Sequence, residues 1–246
     1  MTSSIALKPN ADAQYVLRLA DTCLVWSHRL SEWCGHAPVL EEDIALANHA
    51  LDLLGQARAL LTRAGQLEGQ GFDEDQLAYL RDERDFVNVT LAELPNGTNG
   101  RGDFAFTVLR NFVLSSWALL MWQHLAPSRD AELAAIAGKA VKEARYHREH
   151  AADWVIRLGD GTEDSALRMQ AALDALWPFT AELRESEPEA SWGAELSRLI
   201  ETATLRRPGD PEYPTGGGRS GVHSEHLDRL LAEMQCVARA HPGASW

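Results

Sequence analysis

DTCLVWSHRLSEWCGHAPVLEEDIALANHALDLLGQAR, residues Asp21–Arg58, holds two apolar stripes of helical period with a single break between them. Extended upstream, the first stripe reads Tyr15, Leu19, Cys23, Trp26, Leu30 and Trp33. Steps of three and four residues put all six on one side of a helix over about residues 12–33. Cys34-Gly35-His36-Ala37-Pro38 ends it, because glycine accepts the left-handed turn at a helix end and proline cannot continue a helix. A second helix follows over about 41–67, opened by Glu41, Glu42 and Asp43, whose charges suit the positive end of the helix dipole. A break this short predicts that the two helices fold back on each other as an antiparallel hairpin.

The pattern recurs downstream. A long connection over about 68–103 contains a short amphipathic helix at about 75–91 and then PNGTNGRGD, Pro95–Asp103, whose composition marks an exposed loop. Helices over about 104–125 and 130–158 are joined by a turn at Pro127-Ser128. Beyond Gly159-Asp160-Gly161, further helices are expected at about 164–185, 192–205 and 224–240, with a Pro/Gly-rich loop at 207–221 before the last. Period-two alternation is missing throughout. Short loop, long crossover, short loop is the connectivity of a ferritin-like bundle. The fold expected is therefore all-α: a ferritin-like four-helix bundle with one long crossover and additional C-terminal helices. It forms a single domain over residues 1–246, with core helices at about 12–33, 41–67, 104–125 and 130–158 and a helical extension at about 162–246.

Composition removes several function classes. The 36 acidic residues against 23 basic ones give a formal charge of −13, which argues against nucleic acid or an anionic membrane as partner. MTSSIALKPNADAQ has no basic start followed by an apolar run, and no apolar segment approaches the ~18 residues of a membrane span, so a soluble cytoplasmic protein is expected. Cys23, Cys34 and Cys236 are odd in number and widely spaced, which fits packing residues in a reducing compartment. Gly216, Gly217 and Gly218 precede no strand-to-helix phosphate turn, and neither nucleotide fingerprint occurs.

A ferritin-like di-iron site takes one Glu from each of two helices and a Glu-x-x-His pair from each of the other two. Residues equidistant from a hairpin turn sit side by side, so Asp21 stands level with Asp52, and Ser115 with Glu143. Both pairs lie ~21–23 Å from their loops at ~1.5 Å per residue, and all four can share one layer. The residues at these positions are Asp21, Asp52-x-x-Gly55, Ser115 and Glu143-x-x-Tyr146. Both imidazoles are missing and one carboxylate has become a hydroxyl. The six positions therefore look like vestiges of a di-iron site, with no metal, catalytic or cofactor-binding role expected. Buried acids need compensation, and cations stand about one turn before each, Arg18 three residues before Asp21 and Lys139 four before Glu143.

Other constellations are weaker. Glu143, His147 and His150 share a helix side and could bind a single metal, although the HExxH arrangement is absent. A partly exposed histidine pair is the plainer reading. His28 with Glu32 and His223 with His226 carry the same ambiguity, and Ser224 fits the cap of the last helix. Ser115 and Ser116 lie on no nucleophile elbow. Most of the eight tryptophans should be core, with some able to anchor a protein interface.

Taken together, DTCLVWSHRLSEWCGHAPVLEEDIALANHALDLLGQAR, LRDERDF, KEARYH, LGDGT, LWPFTAEL and TGGGRSGVHSEHLDRLLAEMQ resemble, in order, the PaaC family, the C subunits of bacterial phenylacetyl-CoA ring 1,2-epoxidases, from about Tyr15 to Trp246. That resemblance implies a ferritin-like structural subunit that has lost its iron ligands and stabilises a homologous catalytic A subunit, which carries the di-iron centre and binds phenylacetyl-CoA. It also implies a bridging subunit and electron supply from NADPH through flavin and iron–sulfur chemistry elsewhere in the complex. Alone, the chain could form a homodimer. The rival expectation is a ferritin-like metal-binding protein or oxygenase with its own carboxylate-only site. NGTNGRGDF looks long for the family and Glu185–Pro208 short, which leaves contacts made there open.

Overall fold

The computed structural model describes residues 4–97, 102–184, 189–210 and 215–244, and among these the chain is helical with no strand. The tip of the PNGTNGRGD loop, residues 185–188 and the terminal Trp246 lie outside the described residues. Two compact units emerge, one of Met1–Glu32, Leu46–Leu94 and Gly217–Trp246, the other of Trp33–Ala45 and Pro95–Gly216.

In the first unit, α1 (Ala11–Ser31) begins at Asn10, whose side chain accepts the Ala13 N–H, and ends with the basic His28 and Arg29. Leu19, Cys23, Trp26 and Leu30 of the expected stripe are buried, whereas Tyr15 sits at its exposed edge. α2 (Leu40–Glu68) contributes its greater part, burying Leu46, Leu53, Leu60 and Leu61. The single helix expected at 75–91 is instead α3 (Glu74–Tyr79), a 3₁₀ turn at Glu83–Asp85, an extended stretch, and α4 (Thr90–Glu93). The cause is tertiary. Asp21 Oδ2 accepts the Val87 N–H at 3.0 Å and Thr22 Oγ1 accepts that of Val89 at 3.2 Å, so α1 captures donors that a helix would have used.

The loop that precedes the last helix closes on this stretch. Gly218 N–H donates to Thr90 Oγ1 at 3.2 Å, and a Cβ at Gly218 would stand 2.2 Å from the Asn88 carbonyl oxygen, so only glycine fits there. Gly221 takes φ +75°, with the Arg84 carbonyl oxygen 2.9 Å from where a Cβ would be. Gly218 and Gly221 of TGGGRSG thus serve close backbone approach.

In the second unit, α5 (Phe104–Leu125) begins at Asp103, which accepts the Ala105 and Phe106 N–H groups at 2.9 and 3.3 Å. By length and composition alone α5 can cross a membrane, with mean hydropathy 1.5, contrary to the expectation that no segment would. It is 89% buried inside the protein, as a core helix apolar on every side must be. α6 (Ala131–Gly159) follows the turn at Pro127-Ser128, capped by Asp130. Its inner face is Leu133, Ala137, Ala140, Ala144, His147, Ala151 and Val155, mostly small residues against the bulky side chains of α5.

The helix expected at 164–185 is broken where Pro178 enters a 3₁₀ turn, Trp177–Thr180. It forms α7 (Glu163–Leu176) before the turn and α8 (Ala181–Arg184) after it. α9 (Glu189–Thr202) places Trp192 against α5, its Nε1 donating to Ser116 Oγ at 3.0 Å. Trp33, Phe104 and Trp154 form successive edge-to-face contacts at 5.9 and 5.1 Å. The first unit ends in α10 (Glu225–Ala240), capped as expected by Ser224. Of the cysteines, only Cys23 is a packing residue; Cys34 and Cys236 are exposed.

Candidate functional site

Asp21 lies midway along α1 and is wholly buried. Its carboxylate is fully engaged: Arg81 Nη1 donates to Oδ2 at 3.0 Å, Arg81 Nη2 donates to Oδ1, and the Val87 N–H adds a third bond. Arg81 is equally buried. Its Nε donates to the Leu77 carbonyl, Nη1 also donates to that of Asp85 at 3.0 Å, and the guanidinium carbon lies 4.2 Å from the centre of the Phe86 ring. Gln235 and Arg239 of α10 hold the Arg81 carbonyl at 3.0 and 2.9 Å. The compensating cation is therefore Arg81, 60 residues away in sequence, in place of the expected Arg18.

This arrangement leaves no vacancy for iron. A bidentate guanidinium and a backbone donor occupy the lone pairs that a metal would use. A divalent ion ~4 Å from the guanidinium would be repelled by roughly 8 kcal/mol even at an effective dielectric constant of ~20.

The other five positions read as follows. Asp52 is half-buried on α2, and Gly55, three residues on, is exposed. Ser115 is buried, its hydroxyl donating to the Asn111 carbonyl one turn back at 2.5 Å. Glu143 pairs with Lys139 Nζ at 3.3 Å, as the spacing predicts, and Tyr146 is 55% exposed. Gly55 and Tyr146 thus stand outside the interior layer assigned to them. The inward phase falls one residue later on each helix, at Leu53-x-x-Gln56 on α2 and Ala144-x-x-His147 on α6, all four buried. In that phase leucine and alanine occupy the carboxylate positions, and only one of the two imidazoles is present. Gln56 Oε1 accepts from Cys23 Sγ at 3.6 Å, and sequence reasoning missed its burial.

Glu143, His147 and His150 do not converge. Glu143 faces Lys139, while His150 Nε2 lies 2.8 Å from Glu42 Oε2. Among the described residues, no group of three or more His, Cys, Asp or Glu side chains is placed to hold a metal ion. The residues present do not fit a di-iron group.

A second buried charge cluster was not foreseen. Glu93, wholly buried, accepts from Asn88 Nδ2 at 2.9 Å and bonds His223 Nδ1 at 2.6 Å through Oε1. Its Oε2 accepts both the N–H and the hydroxyl of Ser224 at 2.8 and 2.7 Å. His223 Nε2 donates to the Phe86 carbonyl at 2.8 Å. A carbonyl and a carboxylate both accept, so this geometry favours the doubly protonated ring. Burial, the largest single effect, opposes that charge, but the hydrogen bond and charge of Glu93, the Phe86 carbonyl and Glu83 together raise the His223 pKa. The local signal was present, since His223 lies in the TGGGRSGVHSEH segment that carries the resemblance.

The chain matches the family model described as phenylacetic acid catabolic protein over residues 2–191 and 184–246. It is 48% identical over 249 residues, covering 94% of this chain and 98% of the relative, to the C subunit of the 1,2-phenylacetyl-CoA epoxidase of Escherichia coli (strain K12). With its all-helical fold, the chain belongs to the phenylacetic acid catabolic protein family, whose architecture is ferritin-like.

Proposed function

We propose that this chain is a non-catalytic subunit of a phenylacetyl-CoA epoxidase complex. It pairs with and stabilises a homologous catalytic A subunit that carries the di-iron centre, and a further subunit bridges the assembly. The similarity to the C subunit of such an epoxidase supports the place in the complex. The Asp21–Arg81 pair carries the rest of the reading: a helix that would present a metal ligand presents an internally neutralised carboxylate instead. With leucine and alanine at the inward carboxylate positions of α2 and α6, what the scaffold retains is packing surface.

Substituting the remaining acids should therefore leave the chemistry alone. Glu143→Ala removes the pair with Lys139, whose side chain is 76% exposed. With this chain carrying Asp52→Ala or Glu143→Ala, turnover per assembled complex is expected within about twofold of wild type, equivalent to ~0.4 kcal/mol. Native mass measurement counts the assembled complex and elemental analysis its iron. A large loss of turnover at full assembly and full iron would contradict the proposal.

A further inference from the structure

Residues 217–224 form a self-contained turn ahead of α10. The Ser220 and Val222 N–H groups donate to the Gly217 carbonyl at 2.8 and 3.1 Å, and the Gly221 N–H donates to that of Gly218 at 2.9 Å. The turn is fastened to the crossover through Gly218 N–H to Thr90 Oγ1, His223 Nδ1 to Glu93, His223 Nε2 to the Phe86 carbonyl, and the N–H and hydroxyl of Ser224 to Glu93. Four of these five bonds meet at His223 or Glu93, whose side chains are 1 and 0% exposed. Beyond the turn α10 is anchored separately. Leu227, Leu230 and Leu231 are buried, and Gln235 donates to the Ala78 and Arg81 carbonyls at 3.2 and 3.0 Å. The turn can therefore come away while the helix stays in place.

We propose that residues 217–224 are a proton-operated strap, shut on the crossover while both ring nitrogens of His223 donate and released locally once only one can. A neutral imidazole has a single N–H. If Nδ1 keeps it, the lone pair of Nε2 faces the Phe86 carbonyl; if Nε2 keeps it, the lone pair of Nδ1 faces the Glu93 carboxylate. Either way one fastening becomes a repulsion, and Glu93 loses its counter-charge in the interior. The charged groups around the ring offer no substitute. Glu93 on α4 and Glu83 in the 3₁₀ turn are acidic. Arg29 of α1 gives Nε to the Glu93 backbone carbonyl at 2.8 Å, Nη2 to the His226 carbonyl of α10 at 3.2 Å, and Nη1 to Glu32. Burial works against the imidazolium, but Glu93, the Phe86 carbonyl and Glu83 raise its pKa above the ordinary 6.5. The strap is therefore fully shut below that value and loosens as pH rises through the raised one. Release uncovers the Glu93 carboxylate and the Asn88 carbonyl, against which Gly218 packs.

The test is amide hydrogen exchange of the full chain, resolved by NMR between about pH 5.5 and about pH 9 and corrected for the intrinsic rise of exchange with pH, alongside titration of the His223 ring. Protection of the Gly218 and Ser224 amides should fall at least ~5-fold as the ring loses its proton, the effect of one lost hydrogen bond. The amides of Gln235 in α10 and Leu114 in α5 should keep theirs. His223→Gln, which offers a single neutral donor, should show the lower protection at every pH with wild-type helicity. The wild-type series decides the question by itself if that variant does not fold. If the ring titrates and Gly218 and Ser224 stay protected, the strap does not follow the proton and the proposal fails. A loss shared equally by Gln235 and Leu114 would also overturn it, because the titration would then loosen the fold as a whole. A ring that stays charged or stays neutral throughout would remove the switch.

Discussion

Arg81→Met is expected to destabilise the chain by ~3–5 kcal/mol, because it leaves the Asp21 carboxylate buried without a counter-charge. For a chain of this size, at ~2–4 °C per kcal/mol, the melting temperature should fall by roughly 6–20 °C. Asp21→Leu alone should cost a similar amount, since it strands the guanidinium against the Leu77 and Asp85 carbonyls. The double variant Asp21→Leu with Arg81→Met should be more stable than either single one, because the cost lies in the unpaired charge. Thermal or urea unfolding of the four proteins measures the coupling. Single variants that each cost less than ~1 kcal/mol, as at an exposed pair, would show that these charges do not hold the crossover to α1.

Glu93→Ala should be nearly as damaging. It removes the acceptor for Asn88, Ser224 and a protonated His223 at once, with an expected loss of ~3–5 kcal/mol. The pH dependence tests the charge state. The folded pKa of His223 is raised above its ordinary value near 6.5. The stability it contributes is therefore complete below ~6.5 and is lost as pH rises through the folded value. Wild-type melting temperature should decline across that window. Glu93→Gln, which keeps the shape and removes the charge, should flatten the decline, and so should His223→Gln. An unchanged slope in both variants would place the titrating group elsewhere.

Local grammar accounts for how much of the fold could be read. α5 runs from Phe104 to Leu125 as expected, because Asp103 caps it and Pro127 closes it. The hairpin from α1 to α2 was legible from the Gly35–Pro38 break in the same way. The crossover was not legible. Its helical pattern yields to hydrogen bonds from Asp21 and Thr22, and no local signal encodes donors captured from 60 residues away. Pro178 was a local signal that the helical period at 164–185 masked.

The site was half legible for related reasons. The spacing predicts compensation, and Lys139 does pair with Glu143, but the partner of Asp21 comes from the crossover, where the period predicts a short amphipathic helix. The phase of α2 misled because leucines line both its faces, so Leu51 and Leu54 suggest an interior as strongly as Leu53 does. On α6 the inner face is a run of alanines around His147, a weak apolar signal beside the larger but exposed Tyr146.

The claim on which everything rests is that this scaffold neutralises its buried carboxylate with arginine in place of metal. Anaerobic loading of the purified chain with excess Fe(II), followed by removal of free ion and elemental analysis, tests it most directly. The expected result is less than ~0.1 iron per chain, since the repulsion from Arg81 is many times thermal energy. Two irons retained per chain, lost on Asp21→Asn, would contradict it.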